Sequence, residues 1–220
     1  MKVICISGKA QHGKDTSAKF LKDILEKNGQ RVLITHYGDL VKYIATTFFG
    51  WNGVKDEAGR TILQTVGTER VRNKVPNYWV KFVSDILYLF PDEWDYVLIP
   101  DCRFPNEIDY LREHGLNVTH VRVRRDNFDN GLTDEQKNHP SETSLDDVKP
   151  DYIFANDGTL EDLEKQIDKW VRPFLLIANR KVCEKCKFAK FAGYRQVLCK
   201  KKNGFVPELY TCEYWKEKKK

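Results

Sequence analysis

Nine residues near the start of the chain, Gly8-Lys9-Ala10-Gln11-His12-Gly13-Lys14-Asp15-Thr16, have the types and spacing that hold a polyphosphate. The pattern is G-x-x-x-x-G-K. Its glycines let backbone N–H groups turn inward around an anion, and a helix starting at the lysine adds its positive end. Lys14 is then placed to bridge the β- and γ-phosphates of ATP. The Ser/Thr that usually follows this lysine and ligates magnesium is Asp15 here, with Thr16 one place later. A carboxylate suits Mg²⁺, which takes oxygen ligands and keeps several waters, although it also repels phosphate. Asp15 and Thr16 are the expected Mg²⁺ contacts at this end, direct or through water.

The second group of chemical residues is Asp101 and Arg103, just after the apolar run YVLIP. In enzymes with such a loop, an acid at this strand end orients the water shell of Mg²⁺. The arginine points to the other reactant. A phosphomonoester has its second pKa near ~6, so its attacking oxygen is already ionised and needs no general base. It needs cations instead, because two anionic phosphates must be pressed together. Arg60, Arg70, Arg72, Arg103, Arg122, Arg124 and Arg125 are available. Arg70, Arg103 and one of Arg124 or Arg125 are the expected clamp, the others being surface charges.

Positioning these groups requires strands that end where they begin. The apolar segments Lys2–Ser7, Arg31–Tyr37, Asp95–Pro100, Val118–Val123 and Asp151–Asn156 predict five short buried strands. Helices are expected at Lys14–Lys27, Asp39–Phe49, Thr61–Arg72, Trp79–Leu89, Ile108–His114 and from Gly158-Thr159 to about Ile177. Strands alternating with helices imply an α/β fold with a mainly parallel five-stranded sheet and right-handed crossovers. Ligands of such sheets lie beyond the carboxyl ends of the strands, here 8–16, 37–39, 101–103, 124–142 and 156–158.

Residues 180–220 differ from the rest. They hold 13 Lys or Arg against 4 Asp or Glu, a net +9, so residues 1–179 carry −4 although the whole chain is +5. Four of the six cysteines lie there, as Cys183-x2-Cys186-x12-Cys199-x12-Cys212. Four thiolates fit one structural zinc in a small module too short to bury a core of its own; an iron–sulfur cluster and free thiols are the alternatives. Phe188, Phe191, Tyr194, Phe205, Tyr210 and Trp215 interleave with the basic residues, a pattern also used on nucleic acid, but most aromatics of so small a module must form its core, and a solubilising or docking appendage is favoured. Cys5 and Cys102 read as small core residues. No apolar run reaches the ~20 residues of a membrane span, and MKVICISGKAQHGKD does not read as a signal peptide. A cytoplasmic enzyme is expected.

The stretches SGKAQHGKDT, GDLVKYI, the Arg60–Arg72 region, Tyr78-Trp79, VLIPDCRFPNE, HPSE (His139–Glu142) and FANDGTLEDL together resemble the phage deoxynucleoside monophosphate kinases over about residues 1–178. The GKD loop, the D-x-R strand end, the S-E pair and the N-x-G near the last strand also resemble animal-type phosphomevalonate kinases, the second reading. The first resemblance implies a P-loop NMP-kinase-like domain over 1–178 with a lid at about 124–147, followed by the tail, 179–220. It implies that Gly8–Thr16 bind the donor phosphates, with Lys14, Asp101, Arg103, Arg124 and Arg125 as catalytic candidates. It makes Asp39, Gln64, Arg70, Trp79, Arg103 and Glu107 acceptor-site candidates and puts Asn156 and Gly158 near the donor adenine. Trp79 is read equally as a base platform or a core residue, and His139 as a lid contact or a local partner of the Ser141-Glu142 turn. The implied activity is phosphorylation of a (deoxy)nucleoside monophosphate, in host cytoplasm if the chain is viral, with room for a homodimer. A nucleotide sensor with a nucleic-acid-binding tail is the competing non-enzymatic reading, disfavoured because a sensor needs no second phosphate site.

Overall fold

The computed structural model describes residues 1–54 and 56–178, and in the tail the strands Ala189–Phe191, Gln196–Cys199 and Gly204–Pro207. Five strands form the main sheet: β1 (Lys2–Ser7), β2 (Val32–Ile34), β3 (Tyr96–Ile99), β4 (Asn117–Arg124) and β5 (Tyr152–Ala155). Their order is β2-β3-β1-β4-β5 and every pairing is parallel. β1 lies at the centre, so the loop that leaves it sits in the crevice where the chain turns to opposite sides of the sheet.

Burial explains why such short strands suffice. Val3, Ile4, Cys5 and Ile6 are all fully buried, as are Val97, Leu98 and Ile99, so both faces of the sheet are covered at its centre. The edge strand β5, expected to be buried, buries only Phe154 and leaves Tyr152 and Ile153 exposed. One face carries α2 (Tyr37–Phe49), α4 (Tyr78–Leu89) and α5 (Asn106–Glu113), with Val3, Cys5, Trp79, Val80, Cys102, Ile108 and Leu111 in one apolar cluster. α1 (Lys14–Lys27), buried through Leu21, Ile24 and Leu25, packs along β1, β2 and β3. α8 (Leu160–Ala178) buries Leu163 and Ile167 and sets Trp170 edge-on to Phe154 of β5.

Two elements depart from expectation. β2 stops at Ile34 instead of reaching Tyr37, because Tyr37 and Gly38 open α2 and their N–H groups are taken by the Asp101 carboxylate at 3.0 and 2.9 Å. The single helix expected at Thr61–Arg72 is α3 (Glu57–Gln64) running into a π-helix, Thr65–Arg72. Within the wide turn, the Gly67 carbonyl accepts the Trp79 indole N–H at 2.9 Å, and a Cβ on Gly67 would lie 3.2 Å from Val41. A helix-weak glycine whose carbonyl serves a second donor favours the wider turn.

Contacts divide the chain into two units, Met1–Trp170 and Val171–Lys220. In the second, β6 (Ala189–Phe191), β7 (Gln196–Cys199) and β8 (Gly204–Pro207) form an antiparallel sheet with β7 central. Cys183, Cys186 and Cys212 lie outside the described residues, as does the Cys199 side chain, and so does the expected four-cysteine module. Among the described residues, no helix is long and apolar enough to cross a membrane.

Candidate active site

The phosphate loop is held in a shape that only its sequence allows. Gly8 has φ +146°, and a Cβ there would fall 2.3 Å from the Val123 carbonyl oxygen of β4. Gly13 has φ +96°, and a Cβ would fall 2.6 Å from the Asn156 amide nitrogen. Both conformations are those for which glycine is used. Asn156 follows β5 and donates to the His12 carbonyl at 3.0 Å, so it braces the loop from the far edge of the sheet. Gly158 lies in the turn before α8, beside the Asp162 carboxylate that caps Thr159.

Lys14 is buried at the start of α1 and folds back on the loop, donating to the carbonyls of Gly8 and Lys9 at 2.7 and 2.8 Å. Burial lowers its pKa to about 8; the Arg103 charge pushes the same way, and the carboxylates of Glu142, Asp15 and Asp101 oppose it. The structure therefore brings Lys14, Asp15, Asp101 and Arg103 into one electrostatic neighbourhood. Two cations within mutual reach call for an anion, and Glu142 supplies one. Its carboxylate ion-pairs with Arg103 and accepts the Ala10 N–H of the phosphate loop at 2.8 Å. Glu142 rides on α7 (Pro140–Thr143), the HPSE segment, whose start is tied by the Ser141 N–H donating to His139 Nδ1 at 3.2 Å. That is the local role weighed for His139. Lys9 fastens the same segment, donating to the Glu142 carbonyl at 2.5 Å and to Asp146.

A cavity of about 350 Å³ opens here, lined by Lys9, Arg103, Arg122 and Arg124 among others. Arg124 pairs with Asp126 at 3.1 Å. Arg125 instead lies over the Phe128 ring, 3.9 Å from its centre, beside a neighbouring hollow that includes His12. Its N–H donates to His12 Nδ1 at 3.2 Å, and desolvation holds the His12 pKa below its ordinary value. Gln11 lies in the left-handed region and reaches Asn130 of the 124–147 segment.

The two acids meet different surroundings. Asp101 spends both oxygens on the N-terminus of α2, and burial still raises its pKa. Asp15 is exposed, with His36 Nε2 at 3.5 Å, and this contact lowers the Asp15 pKa and raises that of His36. His36 Nδ1 reaches Asp39 at 3.1 Å, and Asp39 also binds Lys42. Thr16 is half-buried behind them. Among the described residues, no three His, Cys, Asp or Glu are already arranged around a metal position.

The remaining acceptor candidates separate. Glu107 is buried and accepts Arg72 at 2.5 Å and the N–H groups of Arg103 and Phe104 at 2.6 and 3.1 Å, so it fastens the loop that carries Arg103. Trp79 is in the core, the other of its two readings. Gln64 and Arg70 are exposed on α3 and the π-helix, with Arg70 over Phe49. Arg72, Arg122 and His36 were not singled out for these contacts. His36 could have been, since it stands at the carboxyl end of β2.

Residues 42–167 match the family model described as deoxynucleotide monophosphate kinase. The chain belongs to that family. It is 34% identical over 119 residues to the deoxynucleotide monophosphate kinase of Enterobacteria phage T4, covering 53% of this chain and 46% of that protein. With the namesake from Escherichia phage RB69 it shares 32% over 115 residues, 51% of this chain and 44% of the other. The chain thus spans about half the length of the curated relatives it matches. The family match begins after the phosphate loop, so the loop's geometry adds to it independently. Among solved structures, shikimate kinase from Aquifex aeolicus aligns over 80% of this chain and 99% of its own with a TM-score of 0.46 and 15% identity. An APS kinase from Mycobacterium tuberculosis aligns over 80% and 96% with a TM-score of 0.45 and 12% identity.

Proposed function

We propose that this deoxynucleotide monophosphate kinase family chain transfers the γ-phosphate of ATP to a (deoxy)nucleoside monophosphate, forming the diphosphate. The observation that carries the reading is that Lys14 and Arg103, at the carboxyl ends of the neighbouring strands β1 and β3, are near enough for the Arg103 charge to act on Lys14, with the Glu142 carboxylate paired to Arg103. In the proposed reaction, phosphate takes the place of that carboxylate on Arg103. Gly8–Thr16 bind the donor, Asn156 and Gly158 border its base, and residues 124–147 act as the lid.

The acceptor phosphate attacks without a general base because its oxygens are ionised at neutral pH. Lys14 turns from its carbonyl partners to the β- and γ-phosphates, and Arg103 exchanges Glu142 for the acceptor. Arg124, Arg125 and Lys9 add positive charge along the lid wall, where charge builds in the transition state. Asp39, Gln64, Arg70 and Trp79 remain as proposed acceptor-side residues, the last from within the core. Glu107 acts by positioning Arg103.

Asp15, Thr16 and Asp101 are oxygen donors near Lys14, a set that would suit magnesium, direct or through water. When bound, magnesium neutralises charge on the triphosphate. In the tail, the donor chemistry of Cys183, Cys186, Cys199 and Cys212 suits one structural zinc, and the β6–β8 sheet lies between the second and last of them. We place the catalytic domain at 1–178, the basic module at 179–220 and the protein in the host cytoplasm.

A coupled ADP-release screen across all NMPs, dNMPs and mevalonate 5-phosphate tests this function. Turnover with one or more nucleoside monophosphates is expected. Turnover with mevalonate 5-phosphate alone, or with no acceptor, would overturn it.

A further inference from the structure

Ser7 and His120 form a polar pair inside the sheet that the reaction described above does not use. Ser7 ends β1, one residue before Gly8, and the parallel register sets Cys5 beside His120 and Ser7 beside Arg122. Ser7 Oγ and His120 Nε2 are 2.7 Å apart, and both residues are buried. The second ring nitrogen, Nδ1, is also buried and has no hydrogen-bond partner.

The orphan nitrogen decides where the hydrogens lie. Were Ser7 to donate to Nε2, a neutral ring would carry its hydrogen on Nδ1, as a buried N–H without an acceptor. That is the rarer kind of orphan; an unmatched acceptor is tolerated more often. A charged ring would be worse still, with a bare N–H and a buried charge. Burial, aided by the charges of Arg122 and Arg112 against that of Asp151, brings the His120 pKa down to about 4. So Nε2–H donates to Ser7 Oγ, and the Ser7 hydroxyl hydrogen is left for another acceptor.

Its surroundings say which. Ser7 lines the cavity bordered by Gly8 and by four cations, Lys9, Arg103, Arg122 and Arg124, set against the carboxylates of Asp126, Glu142 and Asp146 that phosphate would displace. Strand alternation puts Ser7 on the same face as Val3 and Cys5, the face that carries α2, α4, α5 and Cys102. Arg103 follows Cys102 directly, so this side of the loop is the acceptor side. We propose that the Ser7 hydroxyl, oriented by Nε2–H of a neutral His120, donates a hydrogen bond to a phosphate oxygen of the acceptor nucleotide. The proposal rests on the kinase reading and deepens it by naming a substrate contact.

Ser7→Ala and Ser7→Cys test it in the full chain. Cysteine nearly keeps the volume but donates weakly, so a packing role would survive it and a donor role would not. Hydrogen bonds to charged groups are strong enough that both variants should lose about 10- to 100-fold in kcat/KM for the monophosphate, while the KM for ATP moves less than about twofold. A wild-type-like Ser7→Cys, or a loss that falls on ATP instead, overturns the assignment. The tautomer is read separately, by ¹⁵N–¹H correlation of the imidazole in unliganded protein near pH 7. Hydrogen on Nε2 alone is expected, and hydrogen on Nδ1 refutes the orientation. If wild type phosphorylates no monophosphate, the kinase reading and the acceptor contact fall together; if wild type is active and only the tautomer is wrong, the Ser7 inference falls alone.

Discussion

Arg72→Met isolates the charge of a buried pair while keeping the length of the side chain that covers the Phe104 ring, 4.1 Å from the guanidinium carbon. In the wild type, the Glu107 side chain is 2% exposed and that of Arg72 16%, at 2.5 Å. Removing one partner of a buried ion pair costs ~3–5 kcal/mol. Glu107 keeps its two backbone donors from Arg103 and Phe104, and Arg72 is partly solvated, so about 3 kcal/mol at neutral pH is the expectation. For a unit of this size that lowers Tm by roughly 6–12 °C. The loss must also depend on pH. Burial already holds Glu107 above the usual carboxylate range, and Arg72 is the largest influence pulling it back. Without Arg72 its folded pKa rises further above the unfolded one. The stability tied to that raised value is fully present below the unfolded pKa and is lost as pH rises through the folded pKa. Urea unfolding of wild type and variant between pH 5 and pH 8 should thus show a gap that widens with pH, by up to ~1.4 kcal/mol per unit. A constant gap, or one under about 1 kcal/mol throughout, would mean that Glu107 does not stay ionised in the wild type.

Lys14→Ala should keep the fold and lose ~10²–10³ in phosphoryl transfer, since the transition state loses a cation placed for it; near-wild-type turnover would refute the donor-site assignment. Because Lys14 is depressed to about 8, kcat/KM for ATP in the free enzyme should fall as pH rises through that value, and a flat profile to pH 9.5 would place Lys14 outside the binding step. Arg103→Ala should weaken use of the monophosphate far more than ATP binding, read by titration with each nucleotide; equal losses would put Arg103 in the donor pocket. Metal analysis of the full chain should find about one zinc, with iron and visible absorption replacing it by a cluster and no metal leaving free thiols.

The order of the fold was legible because the strands are followed at once by polar chemistry, Ser7 by Gly8, Ile99 by Pro100-Asp101 and Ala155 by Asn156, although only β1 and β3 are buried as the sequence led us to expect and β5 is largely exposed. A carboxyl strand end fixes where such residues go, whatever their side chains do next. What they do next was less legible, because it depends on partners far away in the chain. Asp101 was expected to serve the metal's water shell and Glu107 the acceptor, yet one caps a helix 64 residues earlier and the other holds an arginine 35 residues earlier. The wide π turn at Thr65–Arg72 follows from Gly67 meeting Trp79 and Val41, which no local pattern shows. Glu142 is the most instructive case. The S-E pair was visible as a motif, but a carboxylate in a phosphate enzyme reads as repulsive until its acceptors are known. Seated on Arg103 and the Ala10 N–H, it makes the opposite point: a carboxylate can serve as the partner of a cation beside a phosphate loop, and on the proposed kinase reading the acceptor phosphate takes its place on Arg103. On the proposed reading, the donor loop, the acceptor arginine and the 124–147 segment therefore meet at one side chain, Glu142.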